Sequence, residues 1–274
     1  MPTMKSLHVG LNAVDPKSYG APYELLACEA DAADMRALAE ARGAEAAVIL
    51  TADATCDAVL QAMQDAADEL VAGDMFFITY SGHGGQVPDV DGEEPDFLDE
   101  TWCLFDSQLR DDDINAALAS FTEGVQILVL SDSCHSGTVS RGIAMSRDAN
   151  LVDSGPAKSK RLPLTSTVRE FESHEGRYHG RATAPKSAVR ATGALISGCL
   201  DDQESKDGAV NGAFTGALLR VWDDGAFSGD HSQLHQAIKQ NLREGGFEQE
   251  PNLRTLSVED DAYRAFLALR PLTL

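Results

Sequence analysis

The chain has 274 residues, of which 43% are hydrophobic and 24% charged, enough apolar content to bury a full core and to exclude disorder for most of its length. Lys and Arg total 22 against 44 Asp and Glu, for a formal charge of -22; a surface this acidic repels phosphate backbones and excludes nucleic acid as an expected partner. No run of about 18 apolar residues occurs and Met1 to Gly10 lacks the sections of a signal peptide, so the expectation is a soluble cytoplasmic protein with no membrane partner.

The first apolar run of strand length is Leu7 to Val14. A helical pattern follows from Ala27 to Arg42, with Leu26, Ala30, Ala33, Ala37 and Leu38 to one side and Gly43 as its stop. Ala46 to Leu50 reads as a strand, and Thr55 to Ala72 as a helix capped by Thr55, striped by Val59, Leu60, Met63, Ala67 and Leu70, and ended at Gly73. Met75 to Tyr80 is a third strand, continuous rather than alternating, as a strand covered on both faces should be. An acidic stretch, Asp89 to Glu100, precedes a strand at Thr101 to Phe105; Asp111, Asp112 and Asp113 follow and read as part of a solvated acidic loop. Ile127 to Leu130 is the next strand.

From Arg141 to Arg190 this rhythm breaks, and apolar residues recur at no fixed period. The segment carries ten basic and five acidic residues, so a local excess of positive charge sits inside an acidic body. It reads as a flexible insertion or processing linker. After it come a strand at Ala194 to Ser197, helices around Ala213 to Trp222 and Gln233 to Arg243, and an amphipathic stretch from Asp260. Strands alternating with helices imply an α/β domain with a mostly parallel central sheet flanked by helices on both faces. Ligands of such sheets bind at the carboxyl ends of the strands.

Two strand ends carry chemistry. Met75 to Tyr80 runs into Ser81-Gly82-His83-Gly84-Gly85, and Ile127 to Leu130 runs into Ser131-Asp132-Ser133-Cys134-His135-Ser136-Gly137. A Cys on one strand end and a His on another is the arrangement that a thiolate nucleophile with an adjacent base requires. The five cysteines are odd in number, far apart and without a Cys-x-x-Cys pair, so neither a disulfide framework nor a zinc site is expected. His135 is a rival base, but adjacent residues on a strand end point to opposite sides, which favours His83. Residues i and i+2 share a strand face, so Asp132 should project on the side of Cys134, where a Lys or Arg side chain of a substrate would satisfy it.

Tyr80-Ser81-Gly82-His83-Gly84 and Asp132-Ser133-Cys134-His135-Ser136-Gly137 resemble the histidine and cysteine motifs of metacaspases, caspase-like cysteine endopeptidases. Cys28-Glu29-Ala30-Asp31, Ile196 through Ser205 and Gly212 through Leu219 resemble further segments of that family in the same chain order. The resemblance implies a single caspase-like domain over residues 1–274, with a large-subunit-like region at 1–140, the linker at 141–190 and a small-subunit-like region at 191–274. It implies His83 as base for Cys134, an oxyanion hole from the backbone N–H groups of Gly84 and Cys134, and a first specificity pocket (S1) walled by Asp31, Asp132 and, more weakly, Asp202. Substrates would be proteins or peptides cut after Arg or Lys, the residue termed P1. No cofactor is implied as a requirement. Calcium is an optional one through Asp99, Asp112 and Asp113, although Arg141 stands where a further aspartate would be expected. Cleavage within 141–190, by the enzyme itself or by an activating protease, would turn a zymogen on. The alternatives are a non-proteolytic caspase-like adaptor and a protease switched on only by a partner protein.

Overall fold

The computed structural model describes residues 1–89, 98–134, 158–181, 188–199, 205–208 and 210–274. In chain order its elements begin with β1 (Met4–Gly10), α1 (Pro16–Tyr19), α2 (Cys28–Ala41), β2 (Glu45–Leu50), α3 (Cys56–Glu69) and β3 (Met75–Ser81). Then come β4 (Gly84–Pro88), β5 (Leu98–Cys103), β6 (Gln108–Arg110), α4 (Asp111–Ala119), β7 (Gln126–Asp132), β8 (Lys158–Ser159) and α5 (Leu164–Gly180). The chain closes with β9 (Thr192–Ser197), β10 (Lys206–Asp207), α6 (Ala213–Trp222), α7 (His231–Glu244), β11 (Asn252–Thr255) and α8 (Asp261–Leu267).

Six strands form one sheet in the order β11-β9-β7-β3-β1-β2, parallel throughout except for antiparallel β11 at its edge. The apolar runs of β3 and β7 are continuous because each strand feeds two cores. Phe76, Ile78, Tyr80, Ile127 and Val129 pack with Val59 and Met63 of α3 and Leu118 of α4. The intervening Met75, Phe77, Leu128 and Leu130 pack with Met35 and Leu38 of α2, Phe214 and Leu218 of α6, and Leu234 and Ile238 of α7. The expected α/β architecture with helices on both faces is therefore present. Tyr80 pairs with Ser131 and Ser81 with Asp132, which sets the two chemistry-bearing strand ends level with each other.

Three expectations are corrected. Thr101 to Phe105 does not join the parallel sheet: β5 pairs antiparallel with β4 and β6 in a separate three-stranded sheet. Asp111, Asp112 and Asp113 are not loop residues but the first turn of α4, where carboxylates favour the positive end of the helix dipole. The 141–190 segment is not all irregular linker, since its described part includes β8 and the 17-residue α5. The buried side of α5 is made of Thr167, Glu170, Phe171 and Tyr178, a helical spacing that mixes polar with aromatic residues and so escapes an apolar count. Inside, Glu170 Oε2 accepts from Gln108 Nε2 at 2.8 Å and from the Tyr178 hydroxyl, and Oε1 lies 3.0 Å from His174 Nδ1.

Candidate active site

β3 delivers His83 and β7 delivers Cys134, both buried, at the carboxyl end of the sheet. His83 Nε2 lies 2.7 Å from the Tyr23 carbonyl oxygen. A carbonyl only accepts, so the proton of the neutral ring sits on Nε2 and the lone pair is left on Nδ1. Nδ1 is buried with no hydrogen-bond partner among the described residues. Burial pushes the imidazole down to about 4, against the opposing pull of the Tyr23 and Lys160 carbonyls, and the Lys160 ammonium adds to the depression. The depression keeps the imidazole neutral at ordinary pH with its Nδ1 lone pair available to take a proton, though as a weaker base than a solvated histidine.

Gly84, directly after His83, packs on the Cys134 backbone so closely that a Cβ there would collide with the Cys134 carbonyl. Its N–H points at the carbonyl oxygen of Lys160, 2.9 Å away. The Cys134 thiol is held by the Ser205 peptide, whose N–H donates to Sγ at 2.8 Å and whose carbonyl oxygen is 3.3 Å from Sγ. That same Ser205 carbonyl accepts the Lys160 N–H at 3.0 Å.

The two aspartates expected in the S1 pocket do converge, from α2 and the end of β7, and between them sits a cation from the chain itself. Lys160 Nζ lies 3.2 Å from Asp31 Oδ2, 3.1 Å from Asp132 Oδ2 and 2.9 Å from Ser81 Oγ, and the whole side chain is inaccessible to solvent. Asp31 also accepts from Ser81 Oγ at 2.7 Å and from the Gly212 N–H at 2.9 Å. Asp132 accepts from Ser205 Oγ at 2.6 Å and from Thr215 Oγ1 at 2.9 Å. Burial raises the Asp31 carboxyl, Lys160 pulls it back down, and the neighbouring Asp132 charge helps to leave it raised. Burial alone would lower the Lys160 ammonium, but Asp132, Cys28 and Asp31 outweigh it and hold the group well above its usual range. A small cavity adjoins the pair, lined also by Met35, Thr79, Leu130 and Phe214.

Five contributors to this site were not assigned roles from sequence: Tyr23, Ser81, Ser205, Gly212 and Thr215. All but Tyr23 lie within segments that carry the family resemblance, so the signal was present without a role attached. Gly212 is there because a Cβ would strike Asp132 Oδ2 and Lys160 Nζ. Asp202, His135 and Arg141 lie outside the described residues.

Two of the proposed calcium ligands, Asp99 and Asp113, face arginines. Asp113 is engaged by Arg110 Nη2 at 2.8 Å and by Arg181 Nη1 at 3.3 Å, and Asp99 faces Arg110 Nη1 at 3.6 Å. The guanidinium of Arg110 thus lies between two of the three carboxylates. Burial and the charge of Asp111 push Asp99 up to about 7, against Arg110. Among the described residues no cluster of three or more His, Cys, Asp or Glu side chains is arranged to hold a metal. Nor is any described helix long and apolar enough to cross a membrane.

Comparison with known proteins gives the family. The family model described as caspase domain matches residues 10–263. Metacaspase-1 of Kluyveromyces lactis is 29% identical over 96% of this chain and 68% of its own length. Metacaspase-1 of Schizosaccharomyces pombe is 30% identical over 78% of this chain and 57% of its own length. The crystal structure of protein GSU0716 from Geobacter sulfurreducens superposes with a TM-score of 0.86 at 43% identity, covering 100% of this chain and 99% of that one.

Proposed function

The chain belongs to the caspase domain family and is a metacaspase-like cysteine-type peptidase, and from that premise we propose that it is an endopeptidase cutting after Lys or Arg through Cys134 and His83. One observation carries the reading: Lys160 places its ammonium between Asp31 and Asp132 while its carbonyl accepts the Gly84 N–H. Those are the two contacts that a P1 residue must make at once, one for selection and one for polarising the carbonyl to be attacked. Its amide completes a third, donating to Ser205, beyond which β8 continues as an antiparallel strand on β10. Recognition of an extended peptide by strand addition uses the same main-chain contacts.

In this mechanism His83 Nδ1 accepts the Cys134 thiol proton, and the thiolate forms a C–S bond to the P1 carbonyl carbon. The negative charge on oxygen is met by the N–H groups of Gly84 and Cys134. The C–N bond then breaks as His83 returns the proton to the leaving amine, and water hydrolyses the thioester. Activation by cleavage in the linker fits the same contacts, with Lys160–Arg161 as the bond cut. Until then the S1 pocket is filled and the enzyme is latent.

The test is turnover of fluorogenic peptides ending in Arg, Lys or Asp by the chain after limited trypsin treatment and trypsin inhibition, beside Cys134→Ala and His83→Ala treated alike. Hydrolysis after Arg and Lys, lost by at least about 10³-fold in both variants, is expected. An enzyme that prefers Asp, or full activity in Cys134→Ala, would refute the mechanism. A folded chain silent on every peptide, before and after limited proteolysis, would support the adaptor reading instead.

A further inference from the structure

The peptide segment that fills S1 continues into a second pocket on the far side of the Lys160–Arg161 bond. Lys160 is buried, Arg161 is exposed and Leu162 is buried again at 2% exposure, the alternation of an extended strand. The Gly84 carbonyl accepts the Leu162 N–H at 3.0 Å just as the Gly84 N–H donates to Lys160. The main chain from 160 to 162 is therefore clamped at both ends by one glycine. Leu162 packs with Val14, Tyr19 and Cys103, and Tyr23 lies against the cluster.

We propose that this cluster is a substrate subsite, S2′, which selects a branched or long apolar side chain at the second residue after the cut and is occupied here by the chain's own Leu162. The proposal rests on the reading of Lys160 as a P1 residue.

The walls are fixed independently of the segment they hold. Tyr19 is tied through its hydroxyl to the Leu104 carbonyl at 2.9 Å, the Val14 N–H to the Pro22 carbonyl at 2.9 Å, and the Cys103 N–H to the His83 carbonyl at 2.9 Å. The pocket so formed persists when the occupant leaves. Its chemistry is one-sided. The Tyr19 hydroxyl is already engaged, and burial holds the Cys103 thiol well above its usual range and so neutral. A charged or amide side chain would lose its water there without a compensating partner, whereas an apolar one gains from burial. The site also touches the catalytic machinery, because the Tyr23 whose ring lies against the cluster supplies the carbonyl that holds His83.

The experiment offers peptides of sequence Ala-Lys-Ser-Lys-Arg-X-Pro-Leu, with X as Leu, Met, Ala or Asp, to the chain and to its Leu162→Ala variant, which vacates the pocket, each after limited trypsin treatment and trypsin inhibition. Products are assigned by mass spectrometry, and self-cleavage of Leu162→Met and Leu162→Asp chains is followed alongside. Cleavage after the second Lys is expected, with kcat/KM similar for Leu and Met, about tenfold lower for Ala, and about 100-fold or more lower for Asp. Equal kcat/KM for all four peptides would overturn the subsite while leaving the protease reading intact, and would make Leu162 only an anchor for α5. No cleavage of any peptide by either chain would overturn the protease reading itself, and the subsite with it.

Discussion

Lys160→Met keeps most of the side-chain length of Lys160 and deletes its charge, so it isolates what the buried ammonium contributes. Nζ has three oxygen partners within 3.2 Å, two of them carboxylates. At that separation each ion pair attracts by about 5 kcal/mol for an effective dielectric constant of about 20. Dehydrating three charged groups offsets most of the sum, and removing one partner from such a cluster leaves a deficit of about 3–5 kcal/mol. The deficit has a definite pH dependence. Without the ammonium, Asp31 loses the charge that pulls its carboxyl down, and its folded-state pKa, already raised by burial, rises further above the unfolded value of about 3.9. A carboxyl with a raised folded-state pKa contributes stability that is present below its unfolded value and lost as pH rises through its folded value. The Lys160→Met deficit should therefore be largest near neutral pH and shrink toward about pH 4. The assay is urea unfolding of both chains in a Cys134→Ala background, which prevents self-cleavage, at intervals from about pH 4 to about pH 8. A deficit below about 1 kcal/mol at neutral pH, or one that grows on acidification, would refute the assignment of Lys160 as the cation of this pair.

Gly212→Ala should reduce kcat/KM for Lys and Arg peptides by about tenfold or more, because its Cβ enters the space of Asp132 Oδ2 and the P1 ammonium; unchanged kcat/KM would place Gly212 outside the pocket. Calcium at millimolar concentration should not be required for peptide hydrolysis, since Arg110 and Arg181 already neutralise Asp113. Chelator-treated enzyme that stays silent until calcium is restored would contradict this, and Asp113→Asn should lower stability by about 3 kcal/mol without changing the response to the ion. His8 is buried against Thr79 and Ser6 and pushed by burial down to about 3. The unfolded chain then binds a proton before the folded one, so stability should fall as pH drops from about 6.5 toward about 3, by up to about 5 kcal/mol from this group. A His8→Gln chain whose acid midpoint is no lower than the parent's would argue against it.

The parts of this molecule legible from sequence are those written in short-range pattern. Continuous apolar runs at Met75 to Tyr80 and Ile127 to Leu130 announce strands covered on both faces, and the glycines after them mark the turns that present His83 and Cys134. The motif segments around Asp31, Cys199 and Gly212 carry the family resemblance, although the contacts that require Asp31 and Gly212 are long-range. α5 escaped because its buried side includes Thr167 and Glu170, whose burial is acceptable only with Gln108 and Tyr178 in place. α4 escaped because three consecutive aspartates look like a solvated loop until a helix dipole lies behind them.

What only the tertiary structure decided is which charges meet. By sequence, Lys160 is one of ten basic residues in a polar segment and nothing local distinguishes it from Lys158 or Arg161. Its partners Asp31 and Ser81 lie 129 and 79 positions away. That Asp113 also meets Arg181, 68 positions away, likewise depends on where α5 docks. Local sequence dictates backbone conformation and apolar periodicity, because these depend on neighbours within a few residues. The pairing of buried ions depends on which surfaces the packed sheet and helices bring within about 4 Å of one another, and that is a property of the fold as a whole.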